Sequence, residues 1–118
     1  MLRLLCQLQF VGLLVIYTWL GLSRGGAVGA LTYNDLLMHF VGYVVAGVSI
    51  GIACPQKPVW QLGLFLLIYS IAIEIIQHFL PPRTFDLYDI AANGAGILAG
   101  LIVFMLLKKP LTHFGLLR

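Results

Sequence analysis

Apolar positions run through this chain in four long blocks, separated by short clusters of proline, glycine and charge. The blocks cover about residues 4–22, 36–54, 59–79 and 89–107. Each is long enough to cross about 30 Å of hydrocarbon as a helix rising about 1.5 Å per residue. Their apolar residues are continuous and not alternating, which predicts spanning helices and not the strands of a barrel. The breaks carry the residues that stop helices: Ser23-Arg24-Gly25-Gly26, Pro55-Gln56-Lys57-Pro58, Pro81-Pro82 and Lys108-Lys109-Pro110. The expectation is an all-α membrane protein, a four-transmembrane-helix bundle forming one domain over residues 1–118. The first block also reads as a signal peptide, with Arg3 before it and Ala27-Val28-Gly29-Ala30 behind it. Its length favours a span, and cleavage would leave the other three helices as they are.

Composition agrees with the pattern. The chain is 61% hydrophobic and 9% charged, with a mean hydropathy of +1.02, whereas soluble domains carry about 25% charged residues. A net charge of +3 scattered over the chain leaves no basic, aromatic-lined stripe for nucleic acid. The charges set an orientation instead. Arg3, Lys57, Lys108, Lys109 and Arg118 fall on one side of the four blocks, and Arg24 and Arg83 on the other. By the positive-inside rule both termini are expected in the cytoplasm. All four acids, Asp35, Glu74, Asp86 and Asp89, then face the outside. Cys6 and Cys54 fall on the cytoplasmic side without metal or CxxC spacing, and read as packing residues.

Polar residues recur on three helices near that outer end. Asp35, His39 and Tyr43 stand four apart on the second helix. Glu74, Gln77 and His78 share one face of the third, and Asp89 and Asn93 open the fourth. Arg83 lies on the loop between the last two helices. Inward-facing stripes would form a single cluster. Bland readings compete: Thr32-Tyr33-Asn34-Asp35 and Asp86-Leu87-Tyr88-Asp89 both resemble capping boxes, and His39 fits a buried histidine bonded to Asp35. Glu74 lies inside an apolar helix, caps nothing, and needs a functional role or a partner such as Arg83. Small residues supply packing faces: Gly47 and Gly51 on the second helix, Ala92, Gly96 and Gly100 on the fourth.

Residues 35–43, DLLMHFVGY, followed by residues 74–100, EIIQHFLPPRTFDLYDIAANGAGILAG, resemble the VanZ-like family of small bacterial membrane proteins. In that family the second helix carries Asp, His and Tyr. The third and fourth carry Glu-x-x-Gln, an Arg after a short turn, and Asp-x-x-x-Asn before spaced glycines. Leu36 stands where many members have a lysine, and Asp86 where serine is frequent. The family takes its name from a protein conferring low-level teicoplanin resistance. The resemblance implies a role in the envelope, at the bacterial cytoplasmic membrane, and supplies no biochemical activity.

Three functions fit these residues. One is a site that binds or transports an amphiphilic envelope lipid or a glycopeptide-related ligand. A second is an enzyme acting on a lipid-linked phosphate or headgroup. The third is a structural subunit whose polar network sets helix register. Asp35, His39, Glu74 and Asp89 are the candidate acid–base residues, and Tyr43, Gln77, Arg83 and Asn93 the candidate ligand-binding ones. Arg83 offers a fork suited to an anion. No cofactor is expected; a divalent metal on the carboxylates and imidazole is the alternative. The bilayer is the expected partner, with a homo-oligomer if transport requires more helices.

Overall fold

The computed structural model describes residues 2–22, 35–79 and 87–115, except for the side chains of residues 21, 22, 35, 36 and 78. Within these residues the chain is four helices and no strand: α1 Leu2–Leu22, α2 Asp35–Ala53, α3 Val59–His78 and α4 Leu87–His113. Three of them, α1, α3 and α4, are long and apolar enough to cross a membrane. The apolar part of α2, Leu37–Ala53, is shorter. At about 25 Å it falls just short of the hydrocarbon thickness. It packs against all three other helices, most extensively against α4, so protein replaces lipid along much of its length.

The turn between α2 and α3 is tight. The Lys57 amide donates to the Cys54 carbonyl at 3.1 Å, and the Pro58 carbonyl accepts the first amides of α3, from Gln61 at 3.0 Å and Leu62 at 3.3 Å. Pro58 therefore stands where a missing N–H costs nothing. At the far end of α4, the sequence reading stops the helix near Leu107, before Lys108-Lys109-Pro110. The helix instead runs through Pro110 to His113. Proline removes one backbone donor and crowds the carbonyl four residues back. These last turns are exposed, so solvent or headgroups can take up the orphaned acceptor. Gly115, at φ 76°, ends the run, where a left-handed conformation favours glycine.

Pairwise contacts give the directions of the helices. Gln9 meets Ser49 and Tyr17 meets Gly42, so α1 and α2 are antiparallel. Phe10 packs near Phe65 and Thr18 bonds Tyr69, so α1 and α3 are parallel. His39 meets Asn93, Gly47 meets Gly100 and Gly51 meets Phe104, so α2 and α4 are parallel as well. The α2–α4 seam is the most extensive in the bundle. At Gly47 an added Cβ would lie 3.0 Å from the Gly100 Cα and from the Ile97 carbonyl oxygen. At Gly100 it would collide with the Val44 carbonyl oxygen, and at Gly96 with that of Phe40. Lipid tails are as apolar as leucine, so helices in a membrane associate by close backbone approach and hydrogen bonds. The glycine faces expected from spacing pack here within the chain.

Below the seam's upper end lies an apolar layer of Phe10, Ala46, Ile50, Leu62, Leu66, Ile97, Leu101 and Phe104. Outside it, Leu4, Val15, Ile68, Leu98 and Leu106 are exposed, as a lipid-facing surface requires.

Candidate functional site

Parallel α2 and α4 start at the same end of the bundle, and antiparallel α3 finishes there. From the Gly63–Leu101 contact, eleven residues along α3 reach Glu74 and eleven back along α4 reach Ile90. Glu74 is therefore roughly level with Asp89 and Asn93. Of the sequence-predicted residues, Tyr43, Glu74, Gln77 and Asn93 are all buried, with Glu74 1%, Asn93 2% and Gln77 4% exposed. Tyr43 lies within electrostatic range of Glu74. Three helices thus bring their polar stripes into one end of the bundle. The Asp35 side chain, the His78 side chain and Arg83 lie outside the described residues, as do Thr32 and Asp86, so the two capping boxes do too.

His39 faces α4. Its Nδ1 lies 2.9 Å from Asn93 Oδ1, and its Nε2 lies 3.8 Å from Asp89 Oδ2. A carbonyl oxygen only accepts, so Nδ1 carries a hydrogen and donates to Asn93. The His39 and Asp89 side chains are 25% and 18% exposed. The site therefore has a partly open rim, His39 and Asp89, beside a closed floor formed by the buried side chains of Asn93, Glu74, Gln77 and Tyr43. Gly96 makes this possible, because its missing side chain lets Tyr43 Cβ come within 2.9 Å of where its own Cβ would be.

α1 contributes residues the sequence reading passed over. Tyr17 donates to the Gly42 carbonyl at 2.7 Å and meets the Tyr43 ring edge-on at 6.2 Å between centroids. Thr18 and Tyr69 share a 2.7 Å hydrogen bond, and Tyr69 also donates to the Leu14 carbonyl at 3.4 Å. Nearer the opposite end, Gln9 and Ser49 bond reciprocally, at 3.0 Å to the Ser49 carbonyl and 2.7 Å between side chains. Polar residues at 9, 17 and 18 within an apolar helix are the signal that finds them, since each such group in lipid needs a partner.

Among the described residues no three histidine, cysteine, aspartate or glutamate side chains converge as a metal site would require. Described cations sit at the other end: Arg3, Lys57, Lys108 and Lys109, with Lys108 Nζ donating to the Pro55 carbonyl at 3.0 Å. Trp19 and Tyr88 are exposed beside the polar end, and Trp60 near the basic end. Such amphipathic rings mark the two membrane–water interfaces.

An apolar exterior, helices of spanning length and aromatic residues near both ends define a helical membrane protein. The family model described as VanZ/LLP1 matches residues 8–108, and the chain belongs to that family. No curated protein and no solved structure matches it.

Proposed function

We propose that this protein binds the headgroup of an amphiphilic envelope lipid in the polar end of its bundle, from the outer leaflet of the bacterial cytoplasmic membrane. The observation that carries the reading is the floor of Glu74, Gln77 and Asn93, buried at one end of the bundle beside a partly open rim. An ionisable residue buried in a membrane protein costs several kcal/mol unless it is neutralised or compensated, and such residues mark ligand and ion sites. Orientation follows from charge. Arg3, Lys57, Lys108 and Lys109 at the opposite end support a cytoplasmic position for that end and for both termini. The exposed rings of Trp19 and Tyr88 support a headgroup depth for His39 and Asp89.

Binding is favoured over passage across the membrane by the apolar layer beneath the site. Ala46, Leu66 and Ile97, all buried, lie between the polar end and the Gln9–Ser49 pair. Arg83, which lies between α3 and α4 in the sequence, would take the phosphate of the headgroup. The reading needs no metal or cofactor.

The test uses purified protein in nanodiscs containing polyprenyl phosphate, polyprenyl pyrophosphate and ordinary phospholipids, with and without divalent metal. Native mass spectrometry reads retained lipid and phosphorus NMR reads product, with Glu74→Gln as control. Retention without product, lost in the variant, supports headgroup binding. Product lost in the variant replaces this reading with the enzyme one, and lipid retained equally by both proteins removes the site.

A further inference from the structure

We infer that the floor of this site takes one hydroxyl oxygen, which accepts from the Tyr43 hydroxyl and the Asn93 side-chain amide and donates to the Glu74 carboxyl group. On the reading of the polar end as a headgroup site, on which this rests, the headgroup is one with a free hydroxyl, such as a glycerol. Two buried donors point to it. Tyr43 is 8% and Asn93 2% exposed. Asn93 gives its Oδ1 to the His39 ring at 2.9 Å. Among the described residues, neither its amide nitrogen nor the Tyr43 hydroxyl has a hydrogen-bond partner. Nearby hydroxyls differ. Tyr17 donates to the Gly42 carbonyl at 2.7 Å, Tyr69 pairs with Thr18 at 2.7 Å, and Ser70 donates to the Leu67 carbonyl at 2.9 Å. A buried donor without an acceptor costs free energy, and folded proteins leave few of them so. Tyr43 and Asn93 therefore call for an acceptor that is not protein.

The fold brings both donors towards Glu74. Tyr43 stands one turn below His39 on α2, and its Cβ packs against Gly96, one turn below Asn93 on α4. Helical side chains lean towards the N-terminus of their own helix. Helices α2 and α4 both start at the polar end, so Tyr43 reaches up towards the level of Asn93. Glu74, on antiparallel α3, leans down, and it lies within electrostatic range of Tyr43. The Tyr17 ring, edge-on at 6.2 Å between centroids, backs Tyr43 from α1.

These three groups select the ligand atom. A phosphate oxygen only accepts; it would serve both donors but set a negative charge beside the Glu74 carboxyl group. An ammonium only donates and leaves both donors as they are, and a trimethylammonium offers no polar hydrogen at all. A hydroxyl has two lone pairs and one hydrogen, a lone pair for each donor and the hydrogen for Glu74. A carboxyl group has several acceptor positions, so this bond adds to the interaction Glu74 already makes. The hydroxyl enters past His39 and Asp89, which are partly exposed, and the phosphate that carries it stays above the floor.

The experiment compares phosphatidylglycerol with phosphatidylpropanol, whose anionic headgroup has the same carbon count and no hydroxyl. Both are presented in nanodiscs, and native mass spectrometry reads lipids retained per chain. Free glycerol is added as a competitor to separate a lipid-borne hydroxyl from a soluble one. The expected result is at least about fivefold greater retention of phosphatidylglycerol, the worth of about one neutral hydrogen bond. Tyr43→Phe, which removes a single oxygen, should show no preference while keeping its folded yield. The hydroxyl-bearing ring carbon of Tyr43, isotope-labelled in the wild-type protein, should shift with phosphatidylglycerol and not with phosphatidylpropanol, a readout that does not depend on any variant folding. Equal retention of both lipids, lost in Glu74→Gln, means that water alone serves the two donors; it overturns the hydroxyl inference and leaves the headgroup reading standing. Retention insensitive to Glu74→Gln overturns both. A preference that survives in Tyr43→Phe overturns the inference as well, because the hydroxyl is then recognised elsewhere. Free glycerol that shifts the Tyr43 carbon, without any lipid preference, overturns it as a lipid site.

Discussion

The two halves of the α2–α4 seam solve the same problem in opposite ways. In the lower half backbones touch: Gly47 lies against Gly100, and Gly51 against the Phe104 ring. In the upper half side chains reach across, His39 to Asn93 and Asp89. Both halves share one parallel spacing, so the change in chemistry is a change of purpose. Close backbone contact leaves no volume for a ligand and holds the helices together without polar side chains. The upper half begins just above the close contact of the Phe40 carbonyl with Gly96, and from there upward polar side chains turn towards each other across the seam. A site in a membrane helix pair needs such a foundation, because its own polar contacts are worth only about 0.6–1.7 kcal/mol each in lipid.

The sharpest way to break this comparison is Gly100→Leu. The side chain has no space beside the Val44 carbonyl and Gly47, and the expected loss is about 3 kcal/mol or more. Folded yield and unfolding in detergent check it; a normally stable protein would mean that the seam is not the foundation. Next comes Glu74→Gln in the floor of the polar half. Retained headgroup lipid should fall at least about tenfold, equivalent to about 1.4 kcal/mol, with folded yield preserved. A register device would instead lose folded protein. Asn93→Ala removes the acceptor that orients His39, and unfolding in detergent should report a loss of about 1 kcal/mol. The smallest effect belongs to Gly94→Ala. No atom lies within 4 Å of a Cβ there, so stability should stay within about 1 kcal/mol of the parent, with any change favourable. Gly100→Ala on the same helix should destabilise clearly. If the two alanine variants behave alike, glycine in α4 serves flexibility and not close approach.

The sequence makes the lower half of the seam more legible than the upper. Glycines four residues apart announce a close helix contact, because only one physical feature, the missing side chain, has to be recognised. The polar stripes are also visible, but their pairing is not. His39 has a potential partner on its own helix, Asp35, and another at Asn93, and only the register between α2 and α4 brings the second within reach. That register depends on how Gly47 and Gly100 seat, fifty-odd residues apart in the chain. α1 was legible as a span, while Tyr17 and Thr18 were not legible as contributors, since their partners are a backbone carbonyl and Tyr69. The end of α4 was misread because Lys108-Lys109-Pro110 looks like a stop. Proline halts a helix where its carbonyl acceptor would be stranded, and beyond the apolar block it is not.

The parallel seam also fixes an order of assembly. Its partners are 54 residues apart at His39 and Asn93, with the whole of α3 between them. During synthesis α1 and α2 can form a hairpin through Gln9–Ser49 and Tyr17–Gly42, and α3 can dock on it. The glycine face of α2 must wait for α4, the last helix made. Until then the shortest apolar helix holds His39 without Asn93 beside it. The site is therefore completed in a single late step, and an intermediate lacking α4 has its floor and its rim open together.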